Sequence, residues 1–172
     1  NLRLNGIEYQ KMFGFGGCFN EQGYEALKTL PENKQDSLLK ELFAADAEAC
    51  KLNFCRMPIG ANDYAMDWYS LDETPGDYAL QHFSIDRDKE RLIPYIQKAK
   101  TYAPDLKLFA SPWSPPTWMK EPPVYNYGKL IHTPENEAAY ANYLRRYVAA
   151  YAEQGIHIDQ LHLQNEPTST QK

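Results

Sequence analysis

Four short apolar runs alternate with segments of helical periodicity, and this alternation restricts the fold of the chain more than any other feature. The β-type runs cover residues 12–20, 52–58, 106–111 and 156–164. Apolar side chains recur at helical spacing over residues 31–50, 85–102 and 133–155. Repeated β–α order is typical of βαβ units around a parallel sheet. We therefore predict an α/β fold, either half of an eightfold barrel or a short open sheet.

The clearest helix and two connections refine this prediction. Thr133 is a good N-cap, Pro134 suits the first helical position, and Gly155 ends the periodic segment. The connection over residues 59–84 is long enough to predict a functional loop, and its aromatic side chains favour an ordered one. Residues 111–120 contain three prolines and two tryptophans, which predicts a stiff loop without regular structure.

Composition excludes several classes of protein. The 172 residues are 43% hydrophobic, with 18 Lys and Arg against 23 Asp and Glu, so the formal net charge is −5. No basic surplus is available for phosphates, and nucleic acid is not an expected partner. No apolar run approaches the ~20 residues of a membrane span. The chain opens without Met, so a targeting segment could precede Asn1.

Three cysteines, Cys18, Cys50 and Cys55, form no C-x-x-C pair, and we predict three buried thiols rather than a zinc site or disulfides. His157 and His162 are five positions apart, an odd separation, so on a strand they face opposite sides and do not predict a metal site with Glu166. The glycine-rich segment 14–17 lacks the spacing of a phosphate-binding loop. No metal or organic cofactor is expected.

Polar and aromatic residues follow every predicted strand. They lie at residues 16–21, 56–63, 111–118 and 165–167. The carboxyl ends of parallel strands meet at one edge of a sheet or one face of a barrel, where active sites of such folds lie. The shared position predicts an enzyme site better than a purely structural module.

Glu166 is the candidate general acid. A partly desolvated carboxyl at a strand end can have its pKa raised enough for that role, although a solvent-facing loop glutamate fits the same spacing. Asn165 offers both donors and an acceptor and could hold a sugar hydroxyl.

Three further residues each have a functional and a structural interpretation. Arg56 ends an apolar strand and needs a partner, in either a structural or a catalytic ion pair. Asp63 could accept hydrogen bonds from a ligand or cap its own turn. Trp113, with Trp118 in the proline-rich loop, could stack on a sugar or pack within the loop.

Taken together, five segments of the chain resemble glycoside hydrolase family 30, the family of glucosylceramidases and β-1,6-glucanases. They are Gly14-Phe15-Gly16-Gly17 with Asn20-Glu21, Arg56-Met57-Pro58-Ile59-Gly60 leading to Asp63, Tyr69-Ser70 running to Phe83-Ser84-Ile85, residues 110–120, and Asn165-Glu166-Pro167. The resemblance implies that residues 1–172 are the first four β/α units of a (β/α)8 TIM barrel, a partial catalytic domain ending just after strand 4.

The resemblance also implies a reaction, namely retaining hydrolysis of a β-linked glycoside, preferably β-glucosidic, by two glutamates. Glu166 would be the acid/base and Asn165 would hold the 2-hydroxyl of the sugar. Asp63 and Trp113 would bind hydroxyls on its far side, and Arg56 would steady the carboxylates from below. The family uses no metal or cofactor, and its members favour a secreted or periplasmic location.

The family takes its nucleophile from the seventh strand, and none of Glu21, Asp63 and Glu121 matches that motif. We therefore expect the parent enzyme to hydrolyse glycosides and residues 1–172 alone to be inactive, with the remaining half of the barrel supplied in cis or in trans. Two alternatives stay open. One is a non-catalytic sugar-binding module, and the other is a half barrel that becomes active only by complementation.

Overall fold

The computed structural model describes residues 3–46 and 48–168. The helices are α1 (Glu21–Lys28), α2 (Glu32–Phe43), α3 (Asp86–Glu90), α4 (Leu92–Lys100) and α5 (Pro134–Glu153). The strands are β1 (Phe54–Ile59), β2 (Lys107–Pro112), β3 (Lys120–Glu121), β4 (Lys129–Leu130) and β5 (Gln160–Leu161). The alternating α/β order predicted from the sequence is present.

The main sheet is parallel, with the order β1, β2, β5. The predicted first strand is an extended segment along the free edge of β1, where Cys18 forms a single parallel bridge with Arg56. Around that bridge, the Arg56 N–H donates to the Gly17 carbonyl and the Phe19 N–H donates to the Arg56 carbonyl, each at 2.9 Å. Neighbours along the chain are therefore neighbours in the sheet, as in a barrel.

The fourth predicted strand is shorter than its apolar run. Only Gln160–Leu161 pair as a strand, although the N–H groups of Asp159, His162 and Asn165 continue to donate to carbonyls of β2. The last of these bonds, from Asn165 to the Pro112 carbonyl at 2.9 Å, holds the chain beside β2 beyond the end of β5.

Helix boundaries depart from the predictions at three places. The predicted helix over 31–50 stops at Phe43 because Ala44 is extended. The helix over 85–102 breaks at Arg91, and Pro94 lies in the first turn of α4, where its missing N–H costs nothing. Helix α1 was not predicted as a separate element, although the Asn20 side chain caps it by accepting from the Gly23 N–H at 2.7 Å. Helix α5 begins and ends as expected, with Thr133 as its N-cap.

The core lies between the sheet and the helices. Its largest fully buried side chains include Tyr143, Tyr147 and Tyr151, which share one face of α5. Each of their hydroxyls has a partner: Tyr143 accepts from the Leu71 N–H, Tyr147 donates to the Pro58 carbonyl, and Tyr151 donates to Asp88. The long connection after β1 is therefore bonded to the core and ordered, as its aromatic content predicted.

Two smaller predictions are corrected. The loop over 111–120 is not free of regular structure, because β2 runs through Pro112, residues 117–119 form a 3-10 turn, and Lys120 enters β3. The prediction of three buried thiols holds only for Cys55. Cys18 and Cys50 are exposed, the first on the edge segment beside β1 and the second in the turn after α2.

Candidate active site

A cleft of about 750 Å³ opens at the carboxyl ends of β2 and β5. One wall is the loop that starts at Trp113, the second is the β3–β4 hairpin with its connection, and the third is the segment after β5 that includes Asn165 and Glu166. Parallel strands place these loops at one edge of the sheet, which is where the sequence predicted a site.

Arg56 connects the elements below the cleft. Its Nε donates to Ser111 Oγ at 2.9 Å, and its Nη2 donates to Asn165 Oδ1 at 2.6 Å. The guanidinium carbon lies 5.7 Å from the centre of the Trp113 ring, within cation–π range. The prediction that Arg56 requires a carboxylate partner is wrong for the residues described, because its hydrogen-bond partners there are uncharged. A half-buried guanidinium can instead be satisfied by neutral acceptors and an aromatic face.

Asn165 is held through its backbone and through its side chain. Its N–H bonds to Pro112, and its side-chain oxygen accepts from Arg56. The neighbouring Gln164 side chain donates to the carbonyls of Trp113 and Asn165, each at 2.9 Å. With Oδ1 engaged, the Asn165 amide presents its NH₂ donors, which is the polarity needed to bind a hydroxyl oxygen.

Glu166 lines the same cleft and is exposed. The expected partial desolvation of this carboxyl is absent, because the residue is in contact with solvent. Its backbone is left-handed, with φ of 44°, which is uncommon for a residue that has a β-carbon.

Asp63 is exposed on the connection after β1 and does not line the cleft. The alternative in which Asp63 caps its own turn is wrong, because the buried neighbour Asn62 has that role. Asn62 Oδ1 accepts from the Tyr64 N–H at 2.9 Å. The structure thus brings together Arg56, Trp113, Asn165 and Glu166 and leaves Asp63 apart from them.

The two tryptophans of the loop have different environments. Trp113 is half-buried and lines the cleft. Trp118 packs edge-on against Tyr78, with ring centres 5.4 Å apart, and its indole N–H donates to the Asp72 carbonyl at 3.0 Å. The packing interpretation therefore applies to Trp118, and Trp113 is the tryptophan of this loop that lines the cleft.

Sequence reasoning missed the second wall of the cleft. Lys120, Glu121, Tyr125 and Lys129 all line it. Lys120 is buried, at 5% exposure. Lys120 ends the 110–120 segment of the family resemblance, but its residue type did not indicate a buried role, because a lysine after a loop is normally a solvated surface residue. Tyr125 donates to the Ala61 carbonyl at 2.6 Å and so joins this wall to the connection after β1.

The spare carboxylates named from the sequence are not equivalent. Glu21 is buried and forms a two-point ion pair with Arg87, with distances of 3.0 and 2.9 Å. Burial opposes ionisation, but the hydrogen bonds from Arg87 and from the Met66 N–H hold the pKa of Glu21 below its ordinary value. The Glu21 carboxylate therefore has a structural role, with both oxygens bound by Arg87. Glu121, by contrast, is exposed and lines the cleft.

Within residues 3–46 and 48–168, no group of three His, Cys, Asp or Glu side chains is arranged to hold a metal ion. His162 stacks on Phe109, with ring centres 4.9 Å apart. Over the same residues, no helix combines the length and the apolar character needed to cross a bilayer.

Comparisons with known proteins agree with this architecture. The description "Glycosyl hydrolase family 30 TIM-barrel domain" matches residues 12–172. The chain is 32% identical to the lysosomal acid glucosylceramidase of Mus musculus over 167 residues, which cover 94% of this chain and 32% of that protein. The chain therefore spans about a third of the length of the curated relatives it matches.

Two solved structures share the fold. SrfJ from Salmonella typhimurium is 33% identical, with a TM-score of 0.86, and the match covers 94% of this chain and 36% of that one. The endo-β1,6-glucanase BT3312 is 25% identical, with a TM-score of 0.83, over 96% of this chain and 37% of that one. The predicted fold class, the first β/α units of a TIM barrel, is confirmed by these matches.

Proposed function

The chain belongs to glycosyl hydrolase family 30, and on that premise we propose that it carries the acid/base half of the active site of a retaining β-glycoside hydrolase. One observation carries the proposal most directly. Arg56 bonds to Asn165 at 2.6 Å below a cleft that Trp113 and Glu166 also line. A β-glucosidic substrate follows from relatives named as a glucosylceramidase and as endo-β-1,6-glucanases.

In the proposed reaction, Glu166 protonates the glycosidic oxygen as the leaving group departs, and the sugar carbon forms a bond with a second carboxylate. Glu166 then takes a proton from the water that opens this covalent intermediate, so the anomeric configuration is retained. Glu166 gives up its proton in the first step and recovers one from water in the second, so the carboxyl ends the cycle in the form in which it began.

Asn165 and Trp113 would orient the sugar. The Asn165 amide, held by Arg56, donates to the 2-hydroxyl, a contact that strengthens in the transition state. The Trp113 ring and indole N–H contact the far side of the same sugar. We also assign Asp63 to those far-side hydroxyls, from the family resemblance and from its position after β1 at the same edge of the sheet, although it lies outside the cleft formed by the described residues.

We propose that the nucleophile lies outside residues 1–172, in the remaining half of the barrel, joined in cis or in trans. One of the spare carboxylates supports this, because Glu21 is already bound by Arg87. It follows that residues 1–172 alone bind a sugar weakly and do not hydrolyse it.

The test uses the enzyme that contains this chain and β-glucosides whose leaving groups differ in pKa. We expect Glu166→Gln to reduce kcat/KM for a poor leaving group such as an alkyl alcohol by roughly 100-fold or more, since general acid catalysis contributes that much. The loss for a 2,4-dinitrophenyl leaving group, which departs without a proton, should be far smaller.

Glu121→Gln is the matched comparison, because Glu121 is the other carboxylate of this cleft among the residues described. We expect it to affect both substrates equally. If the dependence on leaving group appeared in Glu121→Gln and not in Glu166→Gln, the assignment of the acid/base would be wrong.

A further inference from the structure

Lys120 is a buried cation between two walls of the cleft. Its side chain lines the cleft, yet the residue is only 5% exposed. Burial lowers the pKa of its ammonium, and the charge of Glu73 opposes this shift. A lysine is almost never buried without a specific set of partners, so the contacts of Nζ require an explanation.

The ammonium uses all three of its donors within the protein. Nζ donates to Ser114 Oγ at 2.9 Å, to the Val124 carbonyl at 2.9 Å and to the Tyr125 carbonyl at 2.8 Å. These acceptors are neutral, and they converge on one nitrogen atom. An ammonium on a flexible stem suits this arrangement, whereas a planar guanidinium spreads its donors over a fork.

The acceptors belong to opposite sides of the cleft. Ser114 follows Trp113 in the first wall, and its hydroxyl also donates to the Pro115 carbonyl at 2.8 Å. Val124 and Tyr125 belong to the connection between β3 and β4, which is the second wall. The backbone of Lys120 pairs with Leu130 in the hairpin, so the side chain turns back to join the two walls.

Tyr125 extends this connection to a third element. Its hydroxyl donates to the Ala61 carbonyl, and its ring packs on Trp68 with centres 4.9 Å apart. In contrast, Asn165 is held by Arg56 and by the bond to Pro112, which do not pass through Lys120, and Gln164 links this segment to the backbone carbonyl of Trp113 rather than to its ring. Loss of the ammonium should therefore disturb the aromatic walls and leave the acid/base segment in place.

We propose that Lys120 is a positioning residue of the sugar-binding cleft, in which three hydrogen bonds from its ammonium fix the hairpin wall against the wall that carries Trp113. This role rests on the function proposed above. Lys120 does not act on the reacting atoms, and its effect is on the shape of the site that receives the sugar and its leaving group.

The experiment compares Lys120→Met with the wild type in the complete enzyme. We expect KM for an aryl β-glucoside to rise at least tenfold, which corresponds to about 1.4 kcal/mol. The value of kcat should change by less than about threefold, since the Asn165 and Glu166 segment keeps its own supports. Lys34→Met, an exposed lysine of α2 that does not line the cleft, is the charge-matched control and should match the wild type.

A second readout does not depend on turnover. In protein labelled with 5-fluorotryptophan, we expect the ¹⁹F resonance of Trp113, assigned with Trp113→Phe, to shift or broaden in Lys120→Met and not in Lys34→Met. If the wild-type enzyme shows no hydrolysis, the proposed function fails, and the Trp113 resonance alone decides the role of Lys120. An unchanged resonance, or an unchanged KM in an active enzyme, would overturn the role.

Two variants complete the test. Lys120→Arg keeps the charge without the three-point geometry, so full recovery of KM by arginine would show that charge alone matters and would contradict positioning. If Lys120→Met does not fold, Ser114→Ala removes one acceptor and replaces it in the experiment. We expect Ser114→Ala to raise KM about threefold with kcat unchanged, and a KM equal to that of the wild type would overturn the proposal.

Discussion

At the scale of single residues, the most unusual group outside the cleft is Asp88. Its side chain is fully buried and accepts hydrogen bonds from the Tyr69 hydroxyl at 2.8 Å and the Tyr151 hydroxyl at 2.7 Å. These bonds favour the carboxylate, but desolvation outweighs them, and the pKa of Asp88 rises from 3.8 to about 6. The charges that face it are Glu21, which adds to the rise, and Arg87, which opposes it.

This shift predicts how the stability of the fold depends on pH. Because the pKa of Asp88 is higher in the folded state than in the unfolded state, its contribution is fully present below about pH 4 and is lost as the pH rises through about 6. A pKa difference of about two between the folded and unfolded states corresponds to about 3 kcal/mol. The free energy of unfolding of the wild type, relative to Asp88→Asn, should therefore increase by up to that amount on acidification.

Urea unfolding of both proteins between about pH 7.5 and pH 4.5 measures this difference. Glu21 contributes to stability with the opposite pH dependence: its pKa is lowered in the folded state, so its contribution is lost as the pH falls. Both proteins contain Glu21, so this contribution is shared. Parallel stability profiles for the wild type and Asp88→Asn would show that Asp88 does not titrate in this range.

At the scale of secondary-structure elements, the edge segment before α1 requires a glycine at position 16. A β-carbon built on Gly16 would lie 1.9 Å from the Phe54 carbonyl oxygen, so the backbone of the segment can approach β1 only because Gly16 has no side chain. Gly17 is the adjacent residue, and a β-carbon there meets no atom within 4 Å. The two positions form a matched pair for mutagenesis.

We expect Gly16→Ala to lower the free energy of unfolding by about 1–3 kcal/mol or more, because the contact is with backbone that cannot rotate away. Gly17→Ala should change it by less than about 0.5 kcal/mol. Urea denaturation of the two variants checks this, and equal stabilities would mean that the segment is not packed against β1.

The same elements show which features can be predicted from sequence. The apolar runs located β1 and β2 to within two residues, and capping residues located α5, because these signals are local. The ammonium of Lys120 and the neutral partners of Arg56 could not be predicted, since they depend on contacts between loops far apart in the sequence. Asn165 and Trp113 were predicted as site residues, and their meeting around Arg56 required the fold.

At the scale of the whole molecule, the parallel sheet has two open edges among the described residues. Phe13 and Phe15 on the segment before β1 are 91% and 68% exposed, and Leu163 after β5 is 73% exposed. Apolar side chains beside unpaired strand edges favour association. We propose that the remaining units of the barrel cover them in the complete enzyme.

Purified residues 1–172 should therefore self-associate as the concentration rises. We expect Leu163→Lys to weaken this association, because a charge on an open edge opposes pairing. Lys34→Met, which does not alter the edges, should leave the association unchanged. Sedimentation velocity measures it, and a monodisperse monomer at high concentration would contradict the proposal that these edges require a partner.

The central claim is that Glu166 is the acid/base of a retaining glycosidase, and azide rescue tests it most directly. In Glu166→Gln, a 2,4-dinitrophenyl β-glucoside still forms the covalent intermediate, which water opens slowly without a general base. Azide needs no base, so we predict that it accelerates turnover and yields the β-glucosyl azide. A product of α configuration, or an absence of azide rescue in a folded Glu166→Gln enzyme, would contradict the account.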